Sequence, residues 1–115
     1  MEEGKIYDLT FLNKISNGDP VFIREMISTF REVAPDYLNK ASGYLKNNSI
    51  DALSKETHRF IPGVSFLGAK DLEEDLMKIE EYTKKHEHME VVPELLESVM
   101  NKVSRLLEAF DRDFK

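Results

Sequence analysis

Along most of this chain the apolar residues return every three or four positions, the spacing of one face of an α-helix. Asp8 to Ile15, with Leu9, Leu12 and Ile15 on one side, predicts a short leading helix. The signal NGDP, Asn17 to Pro20, then opens a long helix, Asp19 being suited to the N-cap and Pro20 to the first helical position. Its stripe comprises Phe22, Met26, Ile27, Phe30, Val33, Ala34, Tyr37, Leu38, Ala41, Tyr44 and Leu45, as far as Asn47-Asn48. The phase is unchanged across Pro35, which predicts a kink and not a stop. Ser49 is placed to cap a helix that turns Ile50, Leu53, Thr57, Phe60, Val64 and Leu67 inward and ends near Gly68. Asp71 to His86 buries Leu72, Leu76 and Ile79, and Val91 to Phe110 carries Val92, Leu95, Leu96, Val99, Val103, Leu106, Leu107 and Phe110.

No segment alternates with period two between turn residues, as a strand would. Amphipathic helices joined by short loops bury their apolar faces by lying side by side. The expected fold is therefore all-α, an antiparallel four-helix bundle with a short extra N-terminal helix. A chain of 115 residues supports one such core, so residues 1–115 read as a single domain. With 41% hydrophobic and 33% charged residues, the composition is that of a globular chain and not a disordered one.

The formal net charge of -6, without any run of Lys or Arg, argues against nucleic acid or an anionic membrane as partner. The absence of cysteine removes disulfides, thiolate metal sites and a cysteine nucleophile, and fits a reducing compartment. MEEGKIYDLT has no basic-then-apolar leader pattern, and no apolar run reaches membrane-spanning length, so a cytoplasmic protein is expected.

Candidate chemistry centres on His58. At about 100° per residue, it falls more than a quarter turn away from the apolar arc of its helix and points to solvent. On its own face lie Ser54, Lys55, Pro62, Ser65 and Ala69, which apart from Lys55 are small or compact and leave the ring above a low floor. Pro62 lacks the N–H that would bond the carbonyl of His58, a loss of about 3 kcal/mol in a helix interior. Gly63 adds roughly 1 kcal/mol against alanine. The plain reading is a surface histidine beside a tolerated kink; the functional one is a nucleophile that another protein approaches closely.

The stretch His58-Arg59-Phe60-Ile61-Pro62-Gly63-Val64-Ser65-Phe66-Leu67-Gly68-Ala69, with Leu72, resembles the signature of histidine-containing phosphotransfer (HPt) domains. That signature places a lysine three positions after the histidine and a glycine next to it, with an apolar-Gly-Ala group further on. The likeness extends more loosely over nearly the whole chain, through the short leading helix, the proline-bearing long helix and the two helices after the histidine. Two positions depart from it: Ile61 stands where the family has lysine, and Pro62 where it has glycine. The histidine needed for the reaction is retained, whereas steadying of the phosphoryl oxygens by the family's lysine does not carry over. Lys55, one turn before His58, is a candidate substitute, and Arg59 would have to bend around the helix.

The resemblance implies that His58 accepts a phosphoryl group from a phospho-aspartate and returns it to another receiver aspartate. The implied partners are response-regulator receiver domains and a hybrid sensor histidine kinase. The residues offered for receiver docking or for the phosphoryl surroundings are Lys55, Pro62, Ser65 and Ala69. Imidazole suits the chemistry, being partly neutral near pH 7, nucleophilic, and able to leave when protonated. The chain shows no nucleotide-binding or Gly-rich phosphate motif, so no cofactor of its own is expected, and Mg²⁺ is expected on the partner receiver. Phe66 lies outside the core arc, either as a receiver contact or packed beneath the leading helix.

Other groups read as ordinary surface or core. His86 and His88 in KKHEHME sit at a helix end, where i and i+2 side chains diverge, so no metal site is expected there. The carboxylates of EEDLMKIEE alternate with core residues and resemble a solvent face. Glu87 to Glu90 lacks the histidine of a diiron pair. The five methionines fall mostly on apolar stripes and read as core. The competing function is a helical binding module or scaffold without phosphoryl chemistry, which the missing lysine motivates.

Overall fold

The computed structural model describes residues 6–114. Among them are five α-helices and no strand: α1 (Thr10–Ser16), α2 (Pro20–Lys46), α3 (Ile50–Phe66), α4 (Lys70–Lys85) and α5 (Val92–Asp113), the last preceded by a 3₁₀ turn, Met89–Val91. The connections between α2 and α3 and between α3 and α4 are short, which makes consecutive helices antiparallel neighbours. α2 packs on α3, α3 on α4, α4 on α5, and α5 returns to α2, closing a four-helix bundle against which α1 leans from the side of α2. The long axis of the molecule, 42 Å, matches the 27 residues of α2 at about 1.5 Å each.

The predicted start of α2 is realised: the Asp19 carboxylate accepts the N–H of Val21 at 3.0 Å, and Pro20 occupies the first turn. The helix runs through Pro35, as α3 runs through Pro62. The predicted inner residues of α3, Ile50, Leu53, Thr57, Phe60, Val64 and Leu67, are all buried. Four expectations are corrected. Val33 is 43% exposed, because the buried seam of α2 runs Ile23, Ile27, Phe30, Ala34, Tyr37 and Ala41, and Val33 sits one residue off it. Ile15 is 55% exposed, since so short a helix buries only Leu12. Ser49 occupies the cap position of α3 without a side-chain cap bond. Among the methionines, Met77 and Met100 are exposed and Met26 and Met89 half-buried, while Met1 lies outside the described residues.

Beneath α3, Tyr37 of α2 stacks on Phe60 with ring centroids 4.5 Å apart. Its hydroxyl lies 2.8 Å from Thr57 Oγ1, and that hydroxyl gives its own proton to the carbonyl of Leu53, also at 2.8 Å. Tyr37 is therefore the donor to Thr57. Burial pushes the Tyr37 phenol up to about 12, so it remains a neutral donor. Between α4 and α5, buried Asp75 accepts from Lys102 Nζ at 2.8 Å and from Ser98 at 2.6 Å. This carboxylate of the EEDLMKIEE run is a buried partner and not part of a solvent face.

The α3–α4 turn is closed by Gly68, whose φ of +66° is a left-handed conformation. The segment before α1 crosses this turn, the N–H of Asp8 bonding the carbonyl of Leu67 at 3.1 Å. A Cβ on Gly68 would collide with the Asp8 backbone.

Two predictions follow from these contacts. Gly68→Ala should lower stability by about 2–4 kcal/mol, from left-handed strain of about 1–2 kcal/mol plus the steric clash. Gly18→Ala, also left-handed but with nothing within 4 Å, should lose only the strain. Urea midpoints that match for the two variants would contradict the close approach at Gly68. Thr57→Val should cost about 1–3 kcal/mol by leaving the buried Tyr37 hydroxyl unpaired, and adding Tyr37→Phe should recover part of it.

Candidate functional site

Turning Thr57 into the core necessarily turns the next residue outward, about 100° further round the helix. The His58 side chain is 74% exposed, as its place on the wheel requires. Its Nδ1 lies 2.6 Å from Oε2 of Glu80, a half-buried residue of α4 whose side chain is 23% exposed. Since a carboxylate only accepts, a neutral ring in this contact has its proton on Nδ1 and its lone pair on Nε2. The contact is short, and it fixes the ring plane and favours the Nδ1–H tautomer.

Glu80 belongs to a carboxylate run that reads as solvent face from sequence. The signal that would find it is symmetry: in an antiparallel helical hairpin, residues equidistant from the turn meet, and His58 and Glu80 are equidistant from Ala69. A shallow groove of about 540 Å³ opens at this point, lined by Asp51, Ser54, Lys55, His58, Arg59, Glu80 and Lys84. Lys84, one turn beyond Glu80 on α4, reads from sequence only as a cation suited to the negative end of the helix dipole, and its place beside His58 is the second feature that the sequence does not show. Arg59 is held by Glu56 of its own helix at 3.3 Å, whereas among the described residues neither Lys55 nor Lys84 is in an ion pair.

The other expected site residues divide. Lys55 shares the groove with His58. Pro62 and Ser65 are exposed one and two turns further along α3. A Cβ on Gly63 would meet nothing within 4 Å, so the surface beside Pro62 is open. Ala69 is corrected: α3 ends at Phe66, and Ala69 is the N-cap residue of α4, only 2% exposed, with no surface to offer a partner. Ile61, where the HPt signature has lysine, is half-buried and packs against the core. Phe66 stacks on Phe11 of α1 at 5.6 Å, which pairs it with the leading helix while both rings remain exposed.

The paired histidines do not converge. His86 closes α4 in a left-handed conformation with Nε2 3.1 Å from Asp51 Oδ1, while His88 lies against the ring of Tyr82 at 5.0 Å. Among the described residues no group of three or more His, Asp or Glu side chains is arranged to hold a metal ion. No described helix is long and apolar enough to cross a membrane. Compared with protein-family models, with curated proteins and with solved structures, the chain matches none.

The Glu80 contact predicts a measurable tautomer. In ¹⁵N NMR at a pH where the ring is neutral, His58 should appear as the Nδ1–H form. Glu80→Ala should convert it to a mixture containing Nε2–H; an unchanged spectrum would show that the carboxylate does not orient the ring.

Proposed function

We propose that this domain is a phosphorelay intermediate that carries a phosphoryl group on Nε2 of His58. The observation that carries the reading is a solvent-exposed imidazole, mid-helix on a four-helix bundle, whose Nδ1 is held by Glu80 so that Nε2 is free to react. The partners fitting this reading are receiver domains, one of them belonging to a hybrid sensor histidine kinase.

In the forward step the Nε2 lone pair attacks the phosphorus of a receiver's phospho-aspartate. The bond from phosphorus to the aspartyl oxygen breaks, and its electron pair leaves with the carboxylate. The Nδ1 proton is retained, and the positive charge that develops on the ring faces the Glu80 carboxylate. In the return step a second receiver aspartate attacks phosphorus, and the P–N electron pair goes back to Nε2. Such transfers depend on positioning and charge neutralisation. In this reading the receiver contributes Mg²⁺, and this chain contributes the histidine, its orientation and the open face around Pro62 and Ser65.

The absence of a lysine at Ile61 supports one other reading, a bundle that binds a partner without phosphoryl transfer. Incubation with phosphoramidate or a phosphorylated receiver separates the two. The expected result is one added phosphoryl group on His58, labile in acid and stable in base, and lost in His58→Gln with helical content unchanged. No gain across several phosphorylated receivers and the small donor would leave only the binding module.

A further inference from the structure

The position that serves as phosphoryl cation in HPt domains is Ile61, and its side chain packs on the core, so any cation meeting a phosphoryl group on His58 must come from elsewhere. The groove around His58 holds three: Lys55, Arg59 and Lys84. Resting on the phosphotransfer reading above, we propose that Lys84, across the groove on α4, is the residue that receives the phosphoryl oxygens.

Helix direction separates the three. Side chains on an α-helix lean toward its N-terminus, over the preceding turn. Lys55 therefore leans from α3 toward Asp51, away from His58. α4 runs antiparallel to α3, and Lys84 leans back over Glu80, the residue that touches His58. Arg59 lies about 100° round the helix from His58 and is already paired with Glu56 at 3.3 Å. Lys84 has no ion-pair partner among the described residues, although Glu80 lies one turn before it on the same helix, at the spacing where Glu and Lys commonly pair. Glu80 bonds His58 through Oε2 and forms no ion pair with Lys84, so the ammonium is available to an anion on Nε2.

The chemistry is a division between two residues of one helical turn. Glu80 holds the ring proton on Nδ1 and faces the charge that develops on the imidazole. Lys84 faces the opposite charge, on the phosphoryl oxygens, while the P–N bond forms and again while it breaks. A lysine that the family places on the histidine's own helix is thereby replaced by one on the neighbouring helix.

The test uses the full chain and phosphoramidate, which needs no receiver: Nε2 forms a bond to phosphorus as the donor's P–N bond breaks and ammonia leaves with that electron pair. Initial rates of phosphoryl gain are followed by mass, and the ³¹P shift of the phosphohistidine is recorded. Lys84→Gln should slow the gain about tenfold or more, as expected for loss of a hydrogen bond to a charged group, and should move the ³¹P resonance. Lys84→Arg should restore most of the rate, Lys55→Gln should lose less than Lys84→Gln, and Lys85→Gln, whose lysine pairs with Glu81, should match the wild type. Thermal midpoints equal to the wild type would show that the losses are not unfolding. A Lys84→Gln protein as fast as the wild type, or a Lys55→Gln protein slower than the Lys84→Gln protein, overturns the assignment while leaving phosphotransfer intact. A wild-type chain that takes up no phosphoryl group overturns the phosphotransfer reading, and this assignment with it.

Discussion

The rotation of α3 about its own axis is set by one buried residue, Tyr37. Tyr37 stacks on Phe60 and donates its hydroxyl to Thr57, so two faces of one aromatic residue engage two positions a turn apart on the neighbouring helix. Either contact alone would tolerate some slippage, since dispersion is non-directional and a single hydrogen bond can pivot. Together they require Thr57 and Phe60 to face α2. Because His58 follows Thr57, the same constraint aims the imidazole outward. Its exposure follows from a core interaction and not from the loop-like freedom of a surface residue.

Outward orientation alone does not fix the ring, because a freely rotating imidazole presents its nitrogens in many directions. The second constraint comes from the α3–α4 turn. Gly68 adopts a left-handed conformation and lets the Asp8 backbone close over it, which holds the register of the two helices. That register brings Glu80 to Nδ1 and leaves Nε2 facing solvent. Asp75, one turn and a residue earlier on α4, is tied to α5 through Lys102 and Ser98. The helix carrying Glu80 is therefore anchored on both sides. The position of His58 Nε2 can be traced to a tyrosine on α2, a glycine between α3 and α4, and a lysine on α5.

Pro62 has a place in the same account. Its missing N–H frees the carbonyl of His58 from the helical ladder, yet α3 continues, because Phe60, Val64 and Leu67 remain buried on its inner face. The cost of the proline falls on the exposed face, next to Gly63 and Ser65, where no neighbouring helix is disturbed. Helical stability in this bundle comes from packing, and packing is what lets an unfavourable residue remain beside the site.

The helices, their inward faces and the outward direction of His58 were legible in the sequence because amphipathic spacing is a local property, written along one stretch of chain at a time. The misread positions also have local reasons: Val33 lies one residue off the seam of α2, and Ile15 sits on a helix too short to bury more than Leu12. What only the tertiary structure decided are the pairings between helices. Glu80 and Asp75 belong to one acidic run, yet one contacts His58 and the other is buried against Lys102, and their spacing along α4 alone does not tell them apart: only the antiparallel pairing of α3 and α4 does. Ala69 follows the His58 periodicity but falls past the end of α3, where a left-handed glycine redirects the chain and buries it. Lys84 reaches the groove only because α4 runs back against α3. A helix's period determines which way each side chain points; which side chain meets it depends on turn geometry and rotation, and these are settled only when the faces pack.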